Sequence, residues 1–86
     1  MEKRDWQLLC LKNALSMNQR ITTIELAIEH SSEKLEVSEL VSLENLLPIF
    51  EVAFMTFLDA PTRENFKALL AVFLIIEDVA KCLTFQ

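Results

Sequence analysis

At 86 residues the chain is long enough for one small domain, 1–86, and too short for two. It contains no Gly and only two Pro, which excludes glycine-dependent phosphate loops and favours helices over sheets with tight turns. Its net charge is −5, and residues 21–60 carry eight acidic side chains against one basic, so direct nucleic-acid binding through clustered Lys and Arg is not expected.

Cysteine usage and apolar run length predict the compartment. Cys10 and Cys82 lie far apart without a CxxC spacing, which favours two buried free thiols over a disulfide framework. The longest uninterrupted apolar run, residues 68–76, is nine residues long, whereas a membrane helix needs about 20. We therefore expect a cytoplasmic protein with no membrane partner.

The first predicted helix extends from about Arg4 to Met17. Its apolar row is formed by Leu8, Leu11 and Leu15. Four further residues widen this row: Cys10, Ala14, Met17 and Trp6. Trp6 either closes one end of the core or anchors a partner, since Trp is frequent at binding hot spots. The polar run Asn18-Gln19-Arg20 predicts an interruption after this helix.

The second predicted helix begins with a capping box at Thr22-Thr23-Ile24-Glu25 and ends near Ser31 or Lys34. Four carboxylates follow one another at spacings of four, four and three, so they stack as one ridge beside an exposed leucine. The ridge residues are Glu25, Leu26, Glu29, Glu33 and Glu36. This ridge is either a solvated face or a docking surface for a protein partner with a basic surface.

A short segment resembles a known family. The residues Ile21-Thr22-Thr23-Ile24-Glu25, Ile28-Glu29-His30, Leu35 and Glu39-Leu40 are similar to the second helix and following turn of the Hha family, small helical modulators of nucleoid proteins. The likeness covers about a quarter of the chain and implies helical structure there. It assigns no functional residue.

A third helix is predicted to begin at Ser38, to break or kink at Pro48, and to resume as far as Leu58, because Pro lacks a backbone donor and disfavours helical geometry at the residue before it. The row Phe50, Phe54 and Phe57 belongs in a core.

The last helix is predicted from Thr62, its N-cap, to Phe85. Its apolar arc is much broader than a surface helix needs. The last two helices therefore carry more apolar surface than so small a fold covers, which predicts self-association. The residues assigned to that interface are Val52, Met55, Val72, Ile75 and Val79.

No residue pattern indicates catalysis, a cofactor or a metal. His30 is the sole histidine and lies far in sequence from both cysteines. The carboxylates form an exposed row, whereas general acid catalysis needs a buried or crowded carboxyl group. We expect a protein that is not an enzyme.

The predicted fold is an all-α bundle of about four helices, in which the last two form an antiparallel apolar hairpin and the first two pack across it. The leading functional hypothesis is a small regulator or inhibitor that binds a larger protein directly, as a homodimer. One alternative is a secretion-type chaperone that holds an apolar segment of a client. Another is an acidic nucleic-acid mimic, of the kind expected of an anti-defence protein.

Overall fold

The computed structural model describes residues 3–84, except for the side chains of Lys3, Ser32 and residues 82–84. These residues form α1 (Lys3–Ser31), α2 (Val37–Asp59) and α3 (Arg63–Thr84), with one 3₁₀ turn at Ser32–Lys34 between the first two. The predicted all-helical fold is confirmed. The described residues form three α-helices, so the predicted bundle of about four helices is not confirmed.

Helix α1 continues through the segment that was expected to interrupt it. Its buried side chains recur at spacings of four, three, four and three, and this stripe passes through Asn18-Gln19-Arg20 without a gap. The stripe consists of Cys10, Ala14, Met17, Ile21 and Ile24. A continuous apolar stripe outweighs three polar residues, because none of the three breaks helical geometry.

The predicted capping box at Thr22-Thr23 is wrong. Both threonine hydroxyls donate to carbonyl oxygens one turn earlier, of Asn18 and Gln19, at 3.1 Å each. Those carbonyls belong to the same helix, so the hydroxyls bond within α1 and do not start a new one.

Helix α2 begins earlier than predicted and is not split. The residue before it is Glu36, whose backbone N–H donates to the Glu39 carboxylate at 2.9 Å, so Ser38 is not the cap. Pro48 lies inside the helix, on its exposed side. The buried residues of α2, Leu43, Phe50 and Phe57, are seven apart and lie on the opposite side.

Helix α3 begins at the predicted cap, since the Asn65 backbone N–H donates to Oγ1 of Thr62 at 3.1 Å. The same Asn65 donates from its side chain to the Ala60 carbonyl at 2.7 Å. The Gln7 amide of α1 donates to the Pro61 carbonyl at 3.3 Å, which ties the first helix to this turn.

Two aromatic pairs show how α2 and α3 run. Phe57 meets Phe66 with ring centroids 5.6 Å apart, and Phe50 meets Phe73 at 6.3 Å. Moving back along α2 therefore corresponds to moving forward along α3, so the two helices form an antiparallel hairpin.

Helix α1 lies parallel to α3 in constant register. Cζ of Arg63 lies 5.3 Å from the centroid of the Trp6 ring, and Nε of Arg20 lies 2.8 Å from Oε1 of Glu77. The two partners are 57 residues apart in sequence in both pairs.

The molecule is an elongated up-down-up bundle with principal extents of 46 × 23 × 16 Å. Its core holds Ile24, Leu43, Phe50, Phe57, Leu69 and Ile76.

Candidate partner-binding groove

The junction between α1 and α2 is the least closely packed of the three helix–helix junctions. These two helices contact each other less than either contacts α3. A cavity of about 370 Å³ lies midway along the cleft, and a smaller one of about 160 Å³ lies at the end near the α2–α3 turn. We call this cleft the α1–α2 groove.

The middle of the α1–α2 groove combines an apolar floor with two carboxylates. Ile21 and Phe50 are buried at its base, and Met55, 60% exposed, lies at its edge. Glu25 from α1 and Glu51 from α2 line the same cavity, and both are exposed. Apolar side chains favour an apolar ligand group, while the two carboxylates favour a nearby cation.

The far end of the groove is more apolar. Leu8 and Leu58 are 58% and 41% exposed there, although their neighbour Phe57 is fully buried. Arg4 and Gln7 supply its polar edge. Acidic and basic groups thus lie at different positions along one groove. A helical ligand that spans the groove would therefore bind in one orientation of its chain.

The charge of α2 reinforces the acidic middle of the groove. Between Val37 and Asp59 the helix has no Lys or Arg, while its acidic residues are Glu39, Glu44, Glu51 and Asp59. A partner that contacts the exposed side of α2 therefore meets carboxylates without compensating cations from that helix.

The predicted acidic ridge is divided among three elements. Glu25, Leu26 and Glu29 are exposed on α1, with Leu26 at 51%. Glu33 lies in the 3₁₀ turn, and Glu36 is the residue that precedes α2. Because α1 ends at Ser31, the last two carboxylates do not continue its helical face. Among the ridge residues, Glu25 alone lines the described cavity in the middle of the groove.

The predicted self-association residues are divided between two surfaces, the α2–α3 side of the molecule and the α1–α2 groove. Val52 and Val72 line a shallow cavity of about 480 Å³ between α2 and α3. Ile75 and Val79 follow Val72 on the same side of α3 by helical spacing, and Val72 and Val79 are partly buried against the core. Met55 lies instead in the α1–α2 groove.

The cysteine prediction is met at Cys10, a buried free thiol that is 5% exposed. Burial raises the pKa of the Cys10 thiol, and the Arg63 guanidinium partly opposes that rise. The side chain of Cys82 lies outside the described residues. His30 is exposed, and over the described part of the chain no three His, Cys, Asp or Glu residues are placed to share a metal ion.

Among the described helices, α2 is the one whose length and composition would allow it to cross a membrane. Mostly buried core helices of soluble proteins share that length and composition, but only 17% of the most apolar stretch of α2 is buried. Run length did not reveal this possible span, because single polar residues such as Glu44 and Glu51 divide its apolar positions. The expectation of no membrane partner stays a prediction.

Sequence reasoning missed the groove and Glu51. The available signal was a helix that is apolar on most sides and has no basic residue, but which other helix would lie beside Glu51 depended on tertiary packing.

No protein family, curated protein or solved structure matches this chain.

Proposed function

We propose that the protein regulates or inhibits a larger protein by binding it directly, without catalysis, and that it does so as a homodimer. The observation that carries the proposal is the α1–α2 groove, which has an apolar floor at Ile21 and Phe50 and carboxylates on both walls at Glu25 and Glu51. A groove between two helices is a common receptor for a third helix.

The chemistry of the groove favours one class of partner, an amphipathic basic segment. An amphipathic segment would place apolar side chains on the floor, where burial supplies about 25 cal/mol per Å². Lys or Arg on the same segment would pair with Glu25 and Glu51. Such exposed charges mainly speed association and select among partners, so binding should weaken as salt concentration rises.

The rest of the predicted ridge extends the acidic field beyond the groove. Glu29 follows Glu25 by one turn of α1, and Glu33 lies in the adjoining turn. We expect these two carboxylates to contribute less than Glu25 and Glu51, because they do not line the cavity.

Two variants with equal charge change test the proposal. Glu25→Lys with Glu51→Lys alters the groove walls, while Glu29→Lys with Glu33→Lys alters the outlying ridge. Each variant would be used to capture proteins from the cells that encode it, and partner recovery would be quantified by mass spectrometry. We expect the groove variant to recover its partner at least about tenfold less than wild type, and the ridge variant to lose much less.

Circular dichroism would first establish that both variants keep the wild-type helix content. Equal recovery by wild type and both variants would remove the acidic surface from the mechanism. A loss confined to the ridge variant would place the contact outside the groove and overturn its assignment.

A secretion-type chaperone is the second candidate. It is favoured by the additional apolar cavity between α2 and α3, where Ile49 and Val52 are 50% and 66% exposed. A chaperone would be stabilised against heat by an extended apolar peptide. A regulator of the proposed kind would be stabilised instead by an amphipathic basic helix.

A further inference from the structure

The outward side of α3 carries a regular pattern of charged side chains that points away from the other two helices. Six exposed positions recur at spacings of three and four, so they form one strip along the helix opposite its buried side. The strip consists of Glu64, Lys67, Ala71, Leu74, Asp78 and Lys81. We call it the α3 strip.

We propose that the α3 strip is the homodimer interface, and that it pairs with the same strip of a second copy running antiparallel about a two-fold axis. The order along the strip is acidic, basic, small, large, acidic, basic. Reversed against itself, it sets Glu64 opposite Lys81 of the second copy and Lys67 opposite Asp78 of the second copy. The central position Ala71 then lies opposite Leu74 of the second copy.

The charge order selects one direction. In the antiparallel arrangement every one of the four charged positions meets an opposite charge, and the two-fold axis repeats each pair. In a parallel arrangement each residue would meet its own copy, so Glu64, Lys67 and Asp78 would each face a like charge. Like charges in close apposition oppose that arrangement.

The centre of the strip also complements itself in size. Leu74 is 55% exposed and would lie against the small Ala71 of the second copy. Ala68 and Ile75 flank the strip on one side, and the same register brings them close to each other across the axis. Ile75 is 51% exposed and would be covered there.

The charged ends are available for pairing. Nζ of Lys81 lies 3.8 Å from Oδ1 of Asp78, and their side chains are 71% and 80% exposed. A pair this long and this exposed contributes little, so both groups can turn to a second copy. Because the strip matches itself in charge and in size, a second copy fits it better than an unrelated protein does.

This inference rests on the homodimer part of the proposed function and changes the assigned surface. Of the five residues predicted from sequence for self-association, only Ile75 adjoins the α3 strip. The α1–α2 groove uses none of the strip residues, so both surfaces can be occupied at once.

Charge-reversal variants test the interface, and the dimer dissociation constant of each is measured by analytical ultracentrifugation at low salt. Lys67→Glu alone and Asp78→Lys alone each replace two attractive contacts by two repulsive ones. We expect the dimer dissociation constant to rise about tenfold in each, since exposed pairs are individually weak. An equimolar mixture of the two variants should form heterodimers, and the double variant Lys67→Glu/Asp78→Lys should recover the homodimer.

Matched controls carry the same charge changes elsewhere: Lys12→Glu on α1 and Glu44→Lys on α2, both at exposed positions. We expect both to dimerise as wild type does. All these positions are exposed, and helix content by circular dichroism would show that each variant folds.

Each contrary result has a distinct meaning. A wild-type protein that stays monomeric at every concentration would overturn both the α3 strip and the homodimer part of the proposed function. A dimer unchanged by Lys67→Glu and Asp78→Lys would overturn the strip and leave the homodimer proposal. Two weakened variants that do not associate when mixed would overturn the antiparallel register.

Discussion

Arg20 lies in the polar segment that the sequence marks as an interruption, and its guanidinium joins α1 to α3. Nε lies 2.8 Å from Oε1 of Glu77, and Nη2 lies 3.4 Å from Oε2. The two side chains are only 25% and 19% exposed. Partial burial makes the pair stronger than one at the surface, because water competes less for it.

We predict that Arg20→Met lowers the free energy of unfolding by about 1–3 kcal/mol at neutral pH, because Glu77 is then left partly buried without this partner. Urea denaturation followed by circular dichroism measures the change. The exposed Lys12→Met is the control, and it should change stability by less than about 0.5 kcal/mol. Equal effects of the two substitutions would show that the Arg20 pair does not stabilise the fold.

Cys10 supplies a prediction about pH. Burial raises its thiol pKa, so the folded state retains the proton at alkaline pH where the unfolded state has released it. This contribution to stability is complete below the usual thiol pKa and is lost as pH rises through the raised value. In a Cys82→Ser background, iodoacetamide should alkylate Cys10 much more slowly in the folded protein than in urea. Equal rates at the same pH would contradict the burial of this thiol.

At the scale of the element, α2 accommodates a proline near its middle. Pro48 has no N–H, so the Glu44 carbonyl, one turn earlier in the helix, lacks the backbone donor that residue 48 would otherwise supply. The helix stays continuous because Pro48 is exposed, where water can reach the freed carbonyl, and because Leu43 and Phe50 are buried on either side of it in sequence.

We expect Pro48→Ala to raise the free energy of unfolding by about 1–2 kcal/mol. Alanine restores a helical hydrogen bond and has a higher helix propensity, although the more flexible unfolded chain offsets part of the gain. Thermal unfolding would measure it, with Asn45→Ala, also exposed, as a control of smaller effect. A loss of stability would mean instead that the Pro48 ring packs usefully in the cavity between α2 and α3.

At the scale of the whole molecule, three helices of an 86-residue chain share one core. Trp6, the sole tryptophan, is partly buried against that core at the end of α1 and beside Arg63 of α3. Its fluorescence therefore reports whether α1 is docked, while far-ultraviolet circular dichroism reports all the helices.

We predict that the two signals change at the same urea concentration, because small domains with one core unfold in a single cooperative transition. The comparison is made on one sample, with Trp6→Phe as the spectroscopic blank. A fluorescence transition at clearly lower urea would show that α1 leaves the α2–α3 hairpin first, which would contradict a single cooperative domain.

Local patterns predicted some features and not others for identifiable reasons. Thr62 was correctly expected to cap a helix, while Thr22 was not a cap, although both hydroxyls have suitable sequence neighbours. The difference lies in what precedes them: α2 ends at Asp59, so Thr62 follows a break between helices, whereas an unbroken buried stripe passes Thr22. The same stripe explains why four helices were predicted, whereas residues 3–84 form three α-helices.

The sequence by itself determined that the chain is helical, because it lacks Gly, has two Pro, and repeats apolar residues at helical spacing. It also determined that acidic charge concentrates in the middle of the chain. Only the tertiary structure decided that Glu51 lies across a groove from Glu25, that Met55 and Val72 lie on different sides of α2, and that the α3 strip is exposed. The physical reason is that helical periodicity specifies which residues share a face, whereas the choice of the face that each neighbouring helix covers depends on packing among residues far apart in sequence.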